Sequence, residues 1–132
     1  IYEKAFVDYE WFSLKILTPT RIYNFEPDSK GRFNPEIDHI FPKKLKDQPD
    51  DYYSSVDIIW NMQPVKGEVN NYKRRKNPFE FFNSVEGSKY LKDYDFIVDI
   101  NNSLWNQPVA FINNRKNIMI DYLKNTYDII LK

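Results

Sequence analysis

Glu36-Ile37-Asp38-His39-Ile40-Phe41-Pro42 decides how this chain is read: it contains the only histidine of 132 residues, with a carboxylate directly before it. Polar and apolar residues alternate up to Asp38-His39, and Pro42, which has no N–H to give to a ladder, closes the run. This predicts a short strand that delivers a carboxylate and an imidazole to its end. Successive strand residues point to opposite faces, so a strand that offers both groups to one cleft must bend or end there. Downstream, Asn61 to Lys66 has the length and apolar content of a partner strand, and Gly67 punctuates it. Glu68 to Lys76 reads as a short polar helix carrying Asn70.

Outward from this centre, Lys46 to Asp51 reads as a loop and Tyr52 to Ile59 as a short helix, with Val56, Ile58, Ile59 and Trp60 facing inward. Asn77-Pro78 opens another short helix whose apolar residues are Phe79, Phe81 and Phe82. Val85 to Asn106 gives no clear period. From Pro108 to Leu131, Phe111, Ile112, Arg115, Ile118, Met119, Tyr122, Leu123, Tyr127 and Ile130 recur at three- and four-residue spacing, the pattern of a core-packed helix. At the other end, Tyr2, Phe6, Tyr9 and Phe12 fit one side of an amphipathic helix over Ile1 to Leu17, stopped by Pro19. Thr20 to Asn34 is turn-rich, with a loop tip at Pro27 to Gly31. A chain that begins at Ile1 inside a helical pattern suggests a domain excised from a longer protein.

Composition narrows the classes. The chain has the length of one domain, spanning residues 1–132 with its central motif at about 35–76. With 42% hydrophobic and 17% aromatic residues it is expected to fold, although its mean hydropathy is −0.68. No cysteine is present, so a disulfide framework and a cysteine zinc knuckle are both excluded. No apolar run is long enough for a membrane helix and no leader pattern opens the chain, which makes a cytoplasmic setting the expectation. Gly31, Gly67 and Gly87 stand isolated, so no phosphate-binding glycine loop is encoded. A Ser-His-Asp triad or a His-rich zinc site would have to draw on the same single histidine, and no Gly-x-Ser-x-Gly elbow accompanies it.

Charge balances at 19 basic and 19 acidic residues, yet its distribution does not. Lys66, Lys73, Arg74, Arg75 and Lys76 face Glu68 alone, and Lys43, Lys44 and Lys46 directly follow the Asp-His segment. Both clusters flank the motif, where a phosphate backbone would release counterions on binding.

Asp38-His39-Ile40-Phe41-Pro42-Lys43, then Asn61-Met62-Gln63-Pro64-Val65, then Val69-Asn70-Asn71-Tyr72-Lys73 resembles the HNH nucleases, also called His-Me or ββα-metal nucleases. The outer helices, the Asn77-Pro78-Phe79 segment and the Phe111 to Arg115 pattern resemble one branch, the C-terminal HNH domain of GmrSD-type restriction proteins. That branch is implicated in defence against phage DNA, and its full-length members carry a further nucleotide-hydrolysing domain. The resemblance implies an α+β fold in which a ββα-metal unit packs between N-terminal and C-terminal helices. It also implies a DNA endonuclease whose target choice rests on further domains or subunits.

By that resemblance His39 is the general base, and Asp38 and Asn70 hold one divalent ion, with magnesium preferred over manganese or zinc for hard oxygen ligands. Asn61 orients either the imidazole or the loop beside it, or else simply caps a turn. Asn71 competes with Asn70 for the metal position, and Glu36, two residues before Asp38, is a further candidate contact. Lys73 and Arg74 are the first choices for phosphate, followed by Arg75, with Lys43 on the other flank. Two other readings share these residues: a nucleic-acid-binding or assembly module of HNH shape without catalysis, and a toxin-like nuclease acting on RNA.

Overall fold

In the computed structural model, which describes residues 35–127, the Asp-His segment forms strand β1 (Pro35–His39). It pairs antiparallel with β2 (Met62–Lys66), placing Asp38 opposite Gln63 and His39 opposite Met62. The strand ends at His39. Ile40 and Phe41 then turn into the core, where both are fully buried. Two strands alone are marginal in water, and the sheet is completed by what packs on it.

The connection between the strands holds helix α1 (Asp50–Ser55). It begins earlier and ends earlier than the expected Tyr52 to Ile59, because Asp50 and Asp51 favour a helix N-terminus. The last part of the expected helix is instead a single 3-10 turn, Ile59–Asn61, leading into β2. Val56, Ile59 and Trp60 are buried as expected and Ile58 is partly so.

Helix α2 (Gly67–Lys73) follows β2 without a loop and packs against both strands. Gly67 is its first residue, not a break before it. The helix stops short of the expected Lys76 because Arg74 takes φ 47° and ψ −127°, a backbone that cannot continue a helix. Helix α3 (Pro78–Phe82) starts where the sequence places it, with the Asn77 side chain accepting from the Glu80 N–H at 3.3 Å. The stretch that showed no period contains two 3-10 helices, Ser88–Asp93 and Ser103–Asn106. Gly87 is required there: a Cβ at this position would lie 1.9 Å from the Phe81 carbonyl oxygen.

Helix α4 (Pro108–Tyr127) buries Phe111, Arg115, Met119 and Leu123, every fourth residue along one stripe. Phe41 meets Phe111 edge-on at 5.0 Å, Trp105 lies 4.7 Å from Phe111, and Phe82 meets Tyr94 at 4.9 Å. Burying side chains of this size contributes about 1.5–3 kcal/mol each, so this aromatic group is what holds the turn after β1 against α4. The architecture is α+β, with a two-stranded sheet among helices. The helix expected over Ile1 to Leu17, the loop to Asn34 and the end of the last helix beyond Tyr127 lie outside the described residues. Among the described residues, no helix is long and apolar enough to cross a membrane.

Candidate functional site

The end of β1, the turn after it and the C-terminal half of α2 line one open groove. Asp38, His39, Lys43, Lys44, Asn70, Asn71, Arg74 and Arg75 all border it, which brings together most residues the sequence singled out. Asn61, Lys73 and Glu36 do not. Both asparagines of the Asn70-Asn71 pair reach the groove, so position alone does not choose between them.

Asp38 forms the floor and is only 3% exposed. Lys73 Nζ lies 3.1 Å from its Oδ2 and 3.3 Å from its Oδ1, and also donates to the His39 carbonyl at 2.9 Å. The Tyr94 hydroxyl donates to Asp38 Oδ2 at 2.6 Å. Lys73 is therefore not the phosphate contact the sequence suggested. With 0% exposure, it is an internal cation: its aliphatic stem is buried under the sheet and its ammonium pairs with Asp38. Burial pushes the Lys73 ammonium below its ordinary range, and the Asp38 charge opposes that shift. Burial, reinforced by the Asp38 charge, pushes the Tyr94 phenol well up, so it stays a donor.

This arrangement bears on the divalent ion. Both Asp38 oxygens are engaged, and the ammonium already stands where a cation would neutralise the carboxylate. The Asn70 amide has no hydrogen-bond partner among the described residues. No group of three or more His, Cys, Asp or Glu that could hold a metal occurs among them. As placed, Asp38 and Asn70 do not form a site that fits a divalent ion, which takes several oxygen ligands at once.

His39 faces the other way, with its side chain 22% exposed, and its Nε2 lies 2.9 Å from Asp57 Oδ1. Lys43 Nζ reaches the other oxygen of the same carboxylate at 3.6 Å. The hydrogen bond from His39 holds the Asp57 carboxyl below its usual range; burial opposes this slightly and Lys43 adds to it. No sequence pattern marks Asp57, because it lies in the connection between the two halves of the motif and meets His39 only in the folded chain.

Asn61 is wholly buried and does not touch the imidazole. Its Nδ2 donates to the Phe41 carbonyl at 3.0 Å and to the Val56 carbonyl at 2.8 Å, and its Oδ1 accepts from the Phe41 N–H at 3.0 Å. Of the roles open to it, holding the loop is the one its bonds serve. Two tyrosines of α1 fix the lysine-bearing turn from outside: Tyr52 donates to the Pro42 carbonyl, and Tyr53 to that of Leu45 at 2.7 Å.

Behind the sheet, Arg115 is fully buried. Its Nη1 donates to the carbonyls of Trp60 and Met62 at 2.9 and 2.8 Å, its Nη2 to Gln63 Oε1 at 3.0 Å, and its Nε to the Asp95 carbonyl at 3.0 Å. Burial lowers its pKa to about 10, against the raising influence of Asp95, Tyr94 and Asp38, so it is charged at neutral pH. On the groove side, Arg74 Nε donates to the Asn71 carbonyl at 2.8 Å, which holds its guanidinium over the end of α2. Neither a protein family, nor a curated protein, nor a solved structure matches this chain.

Proposed function

We propose that this chain is a nuclease of the HNH kind that hydrolyses DNA phosphodiester bonds, serving restriction or phage defence with target choice supplied by further domains or subunits. The observation that carries the reading is the convergence on one groove of an imidazole, two amides and four exposed cations: His39, Asn70, Asn71, Lys43, Lys44, Arg74 and Arg75. Phosphodiester hydrolysis needs a water to lose a proton, added charge on the phosphorus oxygens to be neutralised and the leaving sugar oxygen to be stabilised. His39 takes the proton through Nδ1, the ring nitrogen that Asp57 leaves free. Lys43, Arg74 and Arg75 face the nonbridging oxygens, Asn70 is a neutral donor to them, and the leaving sugar oxygen takes its proton from water in the open groove. No step is assigned to a divalent ion, because Asp38 is already neutralised by Lys73.

That same ion pair favours a second reading, in which the chain binds nucleic acid in this groove without cutting it. Cleavage of supercoiled plasmid by the whole chain, with magnesium, manganese or EDTA and beside His39→Ala, separates the two. On the nuclease reading, His39→Ala lowers the rate by roughly 10²- to 10⁴-fold while DNA binding persists. Equal background cutting by wild type and variant, with binding intact, gives the second reading. The EDTA arm shows whether a divalent ion joins the groove residues.

A further inference from the structure

We propose that Asp57 is the positioning residue of the His39 imidazole, and that Asn61 acts on the imidazole at second hand by fixing Asp57. The argument starts from the backbone. Asn61 Nδ2 holds the Val56 carbonyl at 2.8 Å, and the Asn61 N–H holds the Ile58 carbonyl at 2.9 Å. The residues before and after Asp57 are thus both tied to one buried side chain and its own main chain, and the side chains of Val56 and Ile59 are buried on either side. Asp57 itself points out, 58% exposed, with Oδ1 on His39 Nε2 and Oδ2 toward Lys43. An exposed carboxylate on a free loop would be held weakly by such a pair; one mounted on a clamped backbone is aimed.

The same asparagine bonds both main-chain groups of Phe41, two residues beyond His39, and the Asn61 carbonyl accepts from the Ile40 N–H at 2.9 Å. One residue therefore sets the relative place of the strand end that carries the imidazole and the turn that carries its carboxylate.

The chemical consequence is a choice of tautomer. A carboxylate accepting at Nε2 keeps the proton of the neutral ring there and leaves the Nδ1 lone pair for a water or another incoming proton. Without Asp57, the ring is free to turn about its own axis and to carry its proton on either nitrogen. The kinetic part of this inference rests on the nuclease reading; the tautomer part does not.

The test uses the whole chain and the fact that it contains a single histidine, so its ring nitrogens give one set of ¹⁵N signals. With the ring neutral, wild type is expected to show a protonated Nε2 and an unprotonated Nδ1. Asp57→Ala shifts the ring toward a mixture of tautomers, and Asp57→Glu restores the wild-type pattern in part. A wild-type ring with its proton on Nδ1, or an Asp57→Ala ring identical to wild type, overturns the proposal whether or not the chain cuts DNA. Where plasmid is cleaved, Asp57→Ala lowers kcat by about 10- to 100-fold, by analogy with histidines that lose the partner orienting them toward a metal, with KM changed little. A loss confined to KM would make Asp57 part of DNA binding and would also overturn the proposal. Unchanged thermal unfolding of Asp57→Ala ties either signature to the ring and not to the fold.

Discussion

The motif residues divide between two sides of one short strand, and the two sides are built differently. On the inner side, Asp38, Lys73, Tyr94, Asn61, Gln63 and Arg115 are buried polar groups, each with named partners at hydrogen-bond distance. On the outer side, His39, Asp57, Lys43 and Arg75 are exposed to varying degrees, and the Asp57 carboxylate meets both His39 and Lys43. A buried polar group left unpaired costs far more than an exposed one. The difference teaches that the inner residues shape the groove while His39, Lys43 and Arg75 are left to line it. Substitutions inside should therefore change stability, and substitutions outside should change binding or rate at nearly constant stability.

The largest expected effect lies farthest from the groove. Arg115→Ala takes the guanidinium donor away from the carbonyls of Trp60, Met62 and Asp95, while the Gln63 side-chain oxygen keeps the Asp95 N–H at 2.8 Å. At roughly 1–3 kcal/mol for each of these three carbonyls, the loss reaches at least about 3 kcal/mol. That is a large part of the ~5–15 kcal/mol that holds a typical domain together. Urea unfolding checks it, and a variant within 1 kcal/mol of wild type would break the inner-side half of the comparison.

Next in size is Lys73→Met. It strands the Asp38 carboxylate in the interior with only the Tyr94 hydroxyl as partner, at a cost of about 3–5 kcal/mol. Adding Asp38→Asn removes the unpaired charge, so the double variant is expected to be more stable than Lys73→Met alone. Thermal melts in millimolar magnesium or manganese sharpen the result: a divalent ion that takes over the charge once carried by the ammonium raises the Tm of Lys73→Met and leaves wild type unmoved. If wild type gains as much as the variant, the ion binds elsewhere than at Asp38.

The sequence showed the outer side better than the inner one, for a physical reason. His39, Lys43, Arg74 and Arg75 are legible because imidazole and basic clusters carry their chemistry in their own side chains, near the motif in the chain. Lys73 was misread because its place in a basic run suggests solvent, and only the packing of α2 beneath the sheet shows that its stem and ammonium turn inward. Asp57 and Tyr94 were missed because each meets its partner across a long stretch of chain, His39 in one case and Asp38 in the other. The α4 stripe was legible as a period of buried positions. That its centre is an arginine feeding four acceptors is a property of three-dimensional placement and not of the period. The strand end at His39 was readable from Pro42 and from alternation, whereas the end of α2 was not, since it depends on the backbone angle of one residue.

That residue, Arg74, belongs to both sides at once, and the smallest expected effect tests whether they can be separated there. Its φ of 47° with ψ of −127° is a conformation that glycine adopts freely and other residues resist, at a cost on the order of 1–3 kcal/mol. Arg74→Gly removes that strain but gives up the exposed bond to the Asn71 carbonyl and adds freedom to the unfolded chain, leaving a net gain of about 1 kcal/mol. For a domain of this size that is a rise in Tm of roughly 4 °C. The same variant removes one cation from the groove, so on the nuclease reading its DNA affinity falls and its salt dependence loses about one unit of slope. Arg74→Ala is the discriminating partner. It discards the cation but keeps the strain, so it should weaken DNA binding as much as Arg74→Gly without the rise in Tm. If both variants melt alike, the positive φ carries no strain and the turn is held by its neighbours. If neither changes the salt slope, Arg74 does not face phosphate and the basic rim of the groove reduces to Lys43, Lys44 and Arg75.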